Sequence, residues 1–250
     1  MAILGVIPAR YASTRFPGKP LISIGNKTMV ERVYEQAKKC ALLHEVIVAT
    51  DDTRIFENVV SFGGKAILTS IHHQSGTDRC AESIEKLSQQ YTSVINIQGD
   101  EPFIDPQQIS LLAELLMLED SQIVTLVKKV EDSRDIFNPN KVKVVVDKNN
   151  FAMYFSRAPI PFQRDVQKEN WLSHHSYYKH VGMYGYKTET LRAITKLSVS
   201  KLEKIESLEQ LRWLENGFKI KVGYTEIETD AIDTEADYQL ILERLKNKSI

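Results

Sequence analysis

The sequence predicts an α/β fold in which a mostly parallel sheet carries helices on both faces. Over the first 130 residues, short apolar runs alternate with stretches whose apolar residues recur at helical spacing. This βαβαβαβ order is typical of parallel sheets, because each crossover helix returns the chain to the same edge. Hydrophobic residues make up 42% of the 250 residues and charged residues 26%, a composition that supports a buried core.

Each strand of the first half is predicted from a short apolar run bounded by polar or turn-forming residues. These strands are Ile3–Pro8, Glu45–Thr50, Lys65–Thr69, Ser93–Gln98 and Ile123–Val130. Apolar residues three or four positions apart predict the helices between them. These helices run through Val30–Cys40, Arg54–Phe62, Cys80–Tyr91 and Ile109–Leu116. Ligands of such folds bind beyond the carboxyl ends of the strands, so polar residues there form the candidate site.

The second half departs from this alternation. Val142–Asp147 and Phe151–Phe155 flank the turn-like residues 148–150, which predicts an antiparallel hairpin. A long loop is predicted over Ala158–Ser176, where prolines replace apolar periodicity. The remaining predicted elements are a strand over Tyr177–Tyr186, a helix near Leu191, a helix across Ile205–Glu215, a strand over Ile220–Glu226 and a closing helix over Asp237–Lys246. We therefore predict one domain over residues 1–250, with an inserted subdomain at roughly 132–190.

Charge and composition exclude several classes of protein. Lys and Arg total 32 and Asp and Glu total 33, so the net charge of −1 argues against a nucleic-acid or membrane-surface binder. No apolar run approaches the ~20 residues of a membrane-spanning helix, and Met1–Ile7 lacks the charged start of a signal peptide. The two cysteines, Cys40 and Cys80, have no metal-ligand spacing. We expect a cytoplasmic protein with reduced cysteines and no membrane insertion.

The loop after the first strand carries the strongest signal of chemistry. In the segment PARYASTRFPGKPL, the cations Arg10, Arg15 and Lys19 lie within ten residues, close to Gly18. Arginine and lysine neutralise phosphate oxygens, and glycine lets the backbone approach a ligand closely. The spacing matches neither a Walker A loop nor a dinucleotide-binding loop. Although a solvated basic turn is the simpler interpretation, three cations at this edge of the sheet favour phosphate binding.

Two acidic residues far apart in the chain are candidate metal ligands. Asp100 follows the fourth strand in the segment QGDEP, and Asp233 stands just outside the last helix, which Thr234 and Asp237 are expected to cap. Mg²⁺ in proteins is often held by only one or two carboxylates, with phosphate oxygens and water completing its shell. The alternatives are a turn or cap role for Asp100 and a helix-dipole role for Asp233.

Two polar clusters in the second half indicate a polar, acidic ligand. Arg157 precedes the rigid segment APIP, and its planar fork suits a carboxylate, although a surface salt bridge is an alternative. His180 and Tyr184 fall on one face of the predicted strand, with Gly182 and Tyr186. Such a hydrogen-bonding face suits a sugar, whereas an edge strand facing water is the alternative.

Glu209 stands out within the predicted helix across Ile205–Glu215. At helical spacing it shares a ridge with Ile205 and Trp213, and a carboxylate on an apolar ridge needs a partner. Arg212, three residues further on, is one candidate partner, and a substrate hydroxyl is the other.

Taken together, these segments resemble one known family. The motifs PARYASTRFPGKPL, ATDD, HQSGTDR, IQGDEP, YFSRAPIP, HVGMYGY and LEQLR occur in the order found in the 3-deoxy-manno-octulosonate (Kdo) cytidylyltransferases, or CMP-Kdo synthetases. The resemblance spans residues 3 to about 240. The first motif marks sugar nucleotidyltransferases in general, whereas Ser156-Arg157 with Glu209-Gln210 indicates the Kdo enzyme.

The resemblance implies a Rossmann-like nucleotidyltransferase fold with an inserted antiparallel subdomain for dimerisation and sugar binding. It also implies a cytoplasmic homodimer that uses Mg²⁺ to make CMP-Kdo and pyrophosphate from CTP and Kdo, for lipopolysaccharide biosynthesis. Its CTP-binding residues would be Arg10, Arg15, Lys19, Gln74, Ser75 and Gly76. Its metal ligands would be Asp100 and Asp233, which with Lys19 and Arg10 would form the catalytic group. Its Kdo-binding residues would be Gln98, Arg157, His180, Tyr184, Glu209 and Gln210.

The sequence departs from the family pattern at one point and is compatible with two rival functions. The family often has a glycine-containing loop before the second metal ligand, whereas this chain has residues 228–232 without glycine, so Asp230 competes with Asp233 for the ligand role. A CMP-sialate synthetase or another sugar nucleotidyltransferase would share the first loop but differ in its sugar pocket. A non-enzymatic nucleotide-binding module would not need the two acids together.

Overall fold

The computed structural model describes residues 1–12 and 16–246. The chain divides into two compact units, one comprising Met1–Ala113 with Thr229–Ile250 and the other Glu114–Glu228. The predicted inserted subdomain at roughly 132–190 stays a prediction. Within the described residues, no helix has the length and apolar character needed to cross a membrane.

Strands and helices alternate through much of the chain. The strands are β1 (Ile3–Ala9), β2 (Ser23–Ile24), β3 (Lys27–Thr28), β4 (Glu45–Thr50), β5 (Ala66–Leu68), β6 (Ser93–Asn96), β7 (Ile123–Lys129), β8 (Lys143–Val146), β9 (Ala152–Ser156), β10 (Tyr178–Lys187) and β11 (Ile220–Tyr224). The helices are α1 (Met29–Lys38), α2 (Thr53–Ser61), α3 (Gly76–Lys86), α4 (Pro106–Met117), α5 (Ser133–Phe137), α6 (Trp171–His174), α7 (Thr188–Ile194), α8 (Lys201–Glu206), α9 (Gln210–Glu215) and α10 (Glu235–Lys246).

The first unit contains a parallel sheet in the order β5-β4-β1-β6. Its middle strands are buried on both faces, because β1 and β4 are almost continuous runs of Val, Ile, Leu and Ala. The parallel α/β fold class predicted from the apolar runs is therefore confirmed. The carboxyl ends of β1 and β6 come close together, since a Cβ placed on Gly99 would lie only 2.7 Å from the Pro8 carbonyl oxygen. Only glycine fits this approach of two strand ends.

The last helix of the first unit is held by its own small core. Buried Ile232 and Ile241 pack with Ile24 and Met29, so α10 and the segment before it are fixed beside the β2–β3 hairpin. The predicted cap of this helix is confirmed, because Thr234 and Asp237 exchange backbone-to-side-chain hydrogen bonds. Because Ile232 is part of this core, the packing fixes the position of the adjacent Asp233.

The second unit is mainly antiparallel. Strand β10 pairs antiparallel with β7 and β8, β8 and β9 form the predicted hairpin, and β11 runs parallel to β7. The register of β10 against β7 shifts between Val181 and Tyr184, so strict alternation of faces does not hold across that point. His180 and Tyr184 nevertheless become neighbours, with ring centroids 5.2 Å apart.

Three predicted elements differ from the structure by more than a shift of their bounds by one to three residues. The helix predicted across Ile205–Glu215 is two helices, α8 and α9, because Ser207 adopts a left-handed conformation with φ 52° and ends the first. Ile205 is 80% exposed, so the ridge with Glu209 and Trp213 was a wrong interpretation. Helix α3 ends at Lys86 and does not reach Tyr91, and the loop predicted over Ala158–Ser176 contains α6, which buries Trp171.

Candidate active site

A lysine joins the two predicted metal ligands in the first unit. Lys19 Nζ donates to Asp100 Oδ2 at 2.9 Å and to Asp233 Oδ1 at 3.3 Å, although Asp233 lies 214 residues away in the chain. The lysine side chain is only 14% exposed. Two carboxylates therefore converge on one positive charge, at the edge where the ends of β1 and β6 meet.

Gly18 and the short turn that follows it fix the backbone at this lysine. Gly18 adopts φ 72° and donates its N–H to the Tyr11 carbonyl, and a side chain on Gly18 would meet the Tyr11 ring at 3.1 Å. A short 3₁₀ turn follows over Lys19–Leu21, with Pro20 buried beneath it. The predicted Arg10 lies exposed directly after β1, and Arg15 lies outside the described residues.

Backbone and side-chain hydrogen bonds tie the segment before Asp233 to the loop after β6. The Ile232 N–H donates to the Asp100 carbonyl oxygen at 2.9 Å, and the Thr229 hydroxyl donates to the Glu101 carboxyl. Burial raises the pKa of Glu101 to about 7, and the charge of Asp100 adds to the effect. Sequence reasoning missed this pairing, because nothing in the pattern links Glu101 to Thr229.

The two candidates for the second acid point to different partners. Asp230, the competitor raised by the sequence, forms an ion pair with Arg244 of α10. Asp233, by contrast, reaches Lys19 beside Asp100. The geometry supports Asp233 over Asp230 as the acid that faces the site.

The pair of acids is chemically suited to a divalent cation. Carboxylate oxygens are ligands that Mg²⁺ prefers, and an ammonium already occupies the point on which both carboxylates converge. Within residues 1–12 and 16–246, no group of three or more His, Cys, Asp or Glu side chains could hold a metal ion. A protein contribution of two carboxylates, with substrate oxygens and water as further ligands, fits this arrangement.

The predicted cytosine-binding residues lie at the start of α3. Ser75 caps this helix in a reciprocal pair with Asp78, and Gln74 is exposed, with its amide donating to the His72 carbonyl at 3.0 Å. A Cβ on Gly76 would lie 3.2 Å from Pro8, which places the helix start beside the end of β1. These residues therefore border the same sheet edge as Lys19.

Sequence reasoning did not assign a role to Arg79, which is 4% exposed. Its guanidinium binds Asp51 at 2.6 Å, the Thr69 hydroxyl at 2.8 Å and the Ser70 carbonyl at 3.2 Å. It thereby links the loops after β4 and β5 to α3. Asp51 lies in the motif ATDD and Arg79 in the motif HQSGTDR, but only the fold brings these two residues together.

In the second unit, His180 and Tyr184 lie in an aromatic cluster. The His180 ring lies 5.2 Å from the rings of both Phe155 and Tyr184, and its Nε2 is 2.9 Å from the Thr125 hydroxyl. Tyr184 also meets Trp213 of α9 at 5.0 Å. Burial lowers the pKa of His180 to about 3 and raises that of Tyr184 well above its ordinary value. Both rings are therefore neutral at pH 7 and can exchange hydrogen bonds with a polar ligand.

Glu209 and Gln210 begin helix α9, next to this cluster. Gln210 is 5% exposed, and its amide nitrogen has no hydrogen-bond partner among the described residues. The Glu209 carboxylate lies 3.9 Å from the guanidinium of Arg212, which is one of the two partners predicted for it. Because an unpaired buried amide is costly, Gln210 is suited to a ligand that supplies the missing acceptor.

The side chain of Arg157 makes more hydrogen bonds within the protein than its sequence context indicates. Its guanidinium donates to three main-chain carbonyls, from Nε to Glu206, from Nη1 to Pro139 and from Nη2 to Ser207. Of the five guanidinium N–H groups, two remain for other acceptors. Binding of a substrate carboxylate by Arg157 stays a prediction, as does the role of half-buried Gln98 in the first unit.

Comparison with known proteins identifies the family. A model of the cytidylyltransferase family matches residues 4–220. The chain belongs to the cytidylyltransferase family. Its relatives include 3-deoxy-manno-octulosonate cytidylyltransferases from Bacteroides thetaiotaomicron, 54% identical over the full length of both chains, and from Parabacteroides distasonis, 52% identical over 99% of this chain and all of the relative.

A solved structure supports the same assignment. A CMP:2-keto-3-deoxy-manno-octonic acid synthetase complexed with CTP is 39% identical, with a TM-score of 0.91 over 99% of this chain and all of that one. The resemblance to Kdo cytidylyltransferases predicted from the sequence motifs is thereby confirmed, and so is the nucleotidyltransferase fold.

Neutral, half-buried His180 gives this cytidylyltransferase a testable pH dependence of stability. The unfolded chain takes up a proton at His180 near pH 6.5, whereas the folded chain does so only near pH 3. Protonation of His180 therefore does not reduce the free energy of unfolding above pH 6.5. Below pH 6.5 this free energy falls as the pH drops toward 3, because the unfolded chain binds the proton more strongly than the folded chain. We expect His180→Gln, which cannot be protonated, to lose about 2 kcal/mol less stability than the wild type between pH 7 and pH 5, measured by urea unfolding. Equal losses in both proteins would contradict a lowered pKa of His180 in the folded protein.

Proposed function

We propose that this cytidylyltransferase transfers CMP from CTP to Kdo and releases pyrophosphate, so that Kdo is activated for lipopolysaccharide biosynthesis. The observation that carries the proposal is the convergence of Lys19, Asp100 and Asp233 at the carboxyl edge of the sheet. The choice of Kdo as the sugar rests on the relatives named above. The proposal extends to a cytoplasmic homodimer, as the family resemblance implies.

The chemistry is dominated by charge. The anomeric hydroxyl of Kdo attacks the α-phosphorus of CTP, the new O–P bond forms, the bond to the β-phosphate oxygen breaks, and the hydroxyl proton is released. Nucleophile and nucleotide are both anionic, so their charges must be neutralised. Lys19 and Arg10 supply positive charge to the phosphates, while Asp100 and Asp233 would hold Mg²⁺. When bound, Mg²⁺ would neutralise phosphate oxygens and orient the triphosphate.

The remaining residues orient the two substrates. Gln74, Ser75 and Gly76, at the start of α3, are proposed to border the cytosine. Gln98, Arg157, His180, Tyr184, Glu209 and Gln210 are proposed to contact the sugar. Holding the hydroxyl in line with the leaving pyrophosphate accounts for much of the acceleration, since no covalent nucleophile is required.

Pyrophosphate release over a matrix of nucleotides and acid sugars tests the proposal. The purified protein is incubated with Mg²⁺ and with CTP, UTP or ATP, together with Kdo, an amino-Kdo analogue or sialic acid. We expect release with CTP and Kdo, and formation of CMP-Kdo by mass spectrometry. Equal activation of sialic acid would reject the sugar assignment and keep the nucleotidyltransferase. Nucleotide binding without release in any combination would favour a binding module.

Gln210 provides a test of the sugar pocket that separates binding from folding. Gln210→Met keeps the side-chain volume and removes the buried, unpartnered amide. We expect the variant to be about 1 kcal/mol more stable, because a desolvated amide without a partner destabilises the folded state. We also expect its KM for Kdo to rise at least about tenfold, with KM for CTP unchanged, because the ligand loses a hydrogen bond. A stabilised variant with wild-type Kdo kinetics would remove Gln210 from the pocket.

A further inference from the structure

Four hydrogen bonds join the end of β9 to the turn between α8 and α9. The Glu206 carboxylate accepts from Ser156 Oγ at 2.6 Å and from the Arg157 backbone N–H at 2.9 Å. In return, the Arg157 side chain donates to the Glu206 carbonyl at 2.7 Å and to the Ser207 carbonyl at 3.3 Å. We call this reciprocal set of contacts the 156–207 clamp.

The turn held by this clamp has a strained backbone. Ser207 has φ 52° and ψ 49°, a left-handed conformation that is unfavourable for residues other than glycine. The Ser207 side chain is exposed, so burial of that side chain does not account for the conformation. Strained residues of this kind persist where neighbouring contacts determine the backbone. The contacts on either side are the clamp and buried Leu208, whose N–H donates to the Glu203 carbonyl at 3.3 Å.

The turn leads directly into the residues proposed to read the sugar. Glu209 and Gln210 follow Leu208 and open helix α9. The Gln210 amide is buried and still lacks a partner, so its direction depends on where α9 begins. A change of backbone conformation at Ser207 would rotate the start of α9 and move both side chains.

We propose that Glu206 is a positioning residue for sugar binding, acting through the 156–207 clamp to hold Ser207 in its left-handed conformation and thereby to direct Glu209 and Gln210. Arg157 has the same positioning role through its bonds to the two carbonyls. This inference rests on the proposed function, because Glu209 and Gln210 are placed in the sugar pocket there.

Two matched pairs of variants test the proposal. Glu206→Met removes both acceptors at similar volume, whereas Glu206→Gln can accept from the Arg157 N–H and donate to Ser156 Oγ. Ser207→Val introduces a β-branched residue that disfavours positive φ, whereas Ser207→Gly favours it. KM and kcat are measured separately for Kdo and CTP, with thermal unfolding and circular dichroism to verify folding.

We expect Glu206→Met and Ser207→Val to raise KM for Kdo at least about tenfold while KM for CTP stays within twofold. Glu206→Gln and Ser207→Gly should stay within about threefold of the wild type for both substrates. If Glu206→Met fails to fold, the Ser207 pair decides. Folded variants with unchanged KM for Kdo, or equal increases for both substrates, would overturn the positioning role. A wild-type protein that does not form CMP-Kdo would instead overturn the proposed function.

Discussion

Asp100→Asn and Asp233→Asn are each expected to reduce turnover by more than ~100-fold without unfolding the protein. Each substitution keeps the shape of the side chain and removes one of the two negative charges that converge on Lys19. Loss of a principal electrostatic stabiliser of a transition state costs about 10²–10³ in rate. The measurement is the steady-state rate of pyrophosphate release from CTP and Kdo over a range of Mg²⁺ concentrations.

Asp230→Asn is the matched control for these variants. Asp230 lies three residues before Asp233 but is paired with Arg244, and its side chain is 55% exposed. We expect its activity to remain within about threefold of the wild type, since an exposed ion pair contributes little. If Asp230→Asn is inactive and Asp233→Asn is not, the second acid has been chosen wrongly.

The strands of the first unit could be predicted from sequence because buried parallel strands are uninterrupted apolar runs. Glu45–Thr50 was predicted with its observed bounds, and Ile3–Pro8 with one residue missing. The rule that ligands gather at the carboxyl ends of such strands then placed Lys19 and Asp100 at one edge. The same reasoning could not place Asp233, because its position depends on the packing of Ile232 and Ile241 with Ile24 and Met29.

The second unit shows where local pattern is insufficient. No glycine or proline marks the break between α8 and α9, and the apolar spacing from Ile205 to Trp213 is helical. The helix ends at Ser207 where the 156–207 clamp holds the turn, a set of contacts formed by residues 50 positions apart. The guanidinium of Arg157 likewise donates its hydrogen bonds to carbonyls that are distant in the sequence. Side-chain bonds to distant carbonyls leave no periodic signal in a sequence.

Lys19→Ala is expected to separate metal binding from catalysis. In the wild type, the Lys19 ammonium lies 2.9 Å from Asp100 and 3.3 Å from Asp233, where it neutralises the two carboxylates. Its removal leaves two like charges facing each other, so the free protein should be less stable in EDTA. It should also bind Mg²⁺ more tightly, because no ammonium competes for the same oxygens. Thermal unfolding as a function of Mg²⁺ concentration, without nucleotide, measures both effects.

Turnover by the same variant should fall by more than ~100-fold, even at saturating Mg²⁺ and CTP. The lysine is then no longer available to neutralise charge on the phosphates, and the divalent cation alone cannot replace a second positive charge in the transition state. Lys27→Ala is the control, since that lysine pairs with Glu35 after the β2–β3 hairpin and should change neither property. Tighter Mg²⁺ binding with wild-type turnover would show that Lys19 only neutralises the two carboxylates when no Mg²⁺ is bound. Weaker Mg²⁺ binding by Lys19→Ala would instead show that the two carboxylates do not converge on the metal.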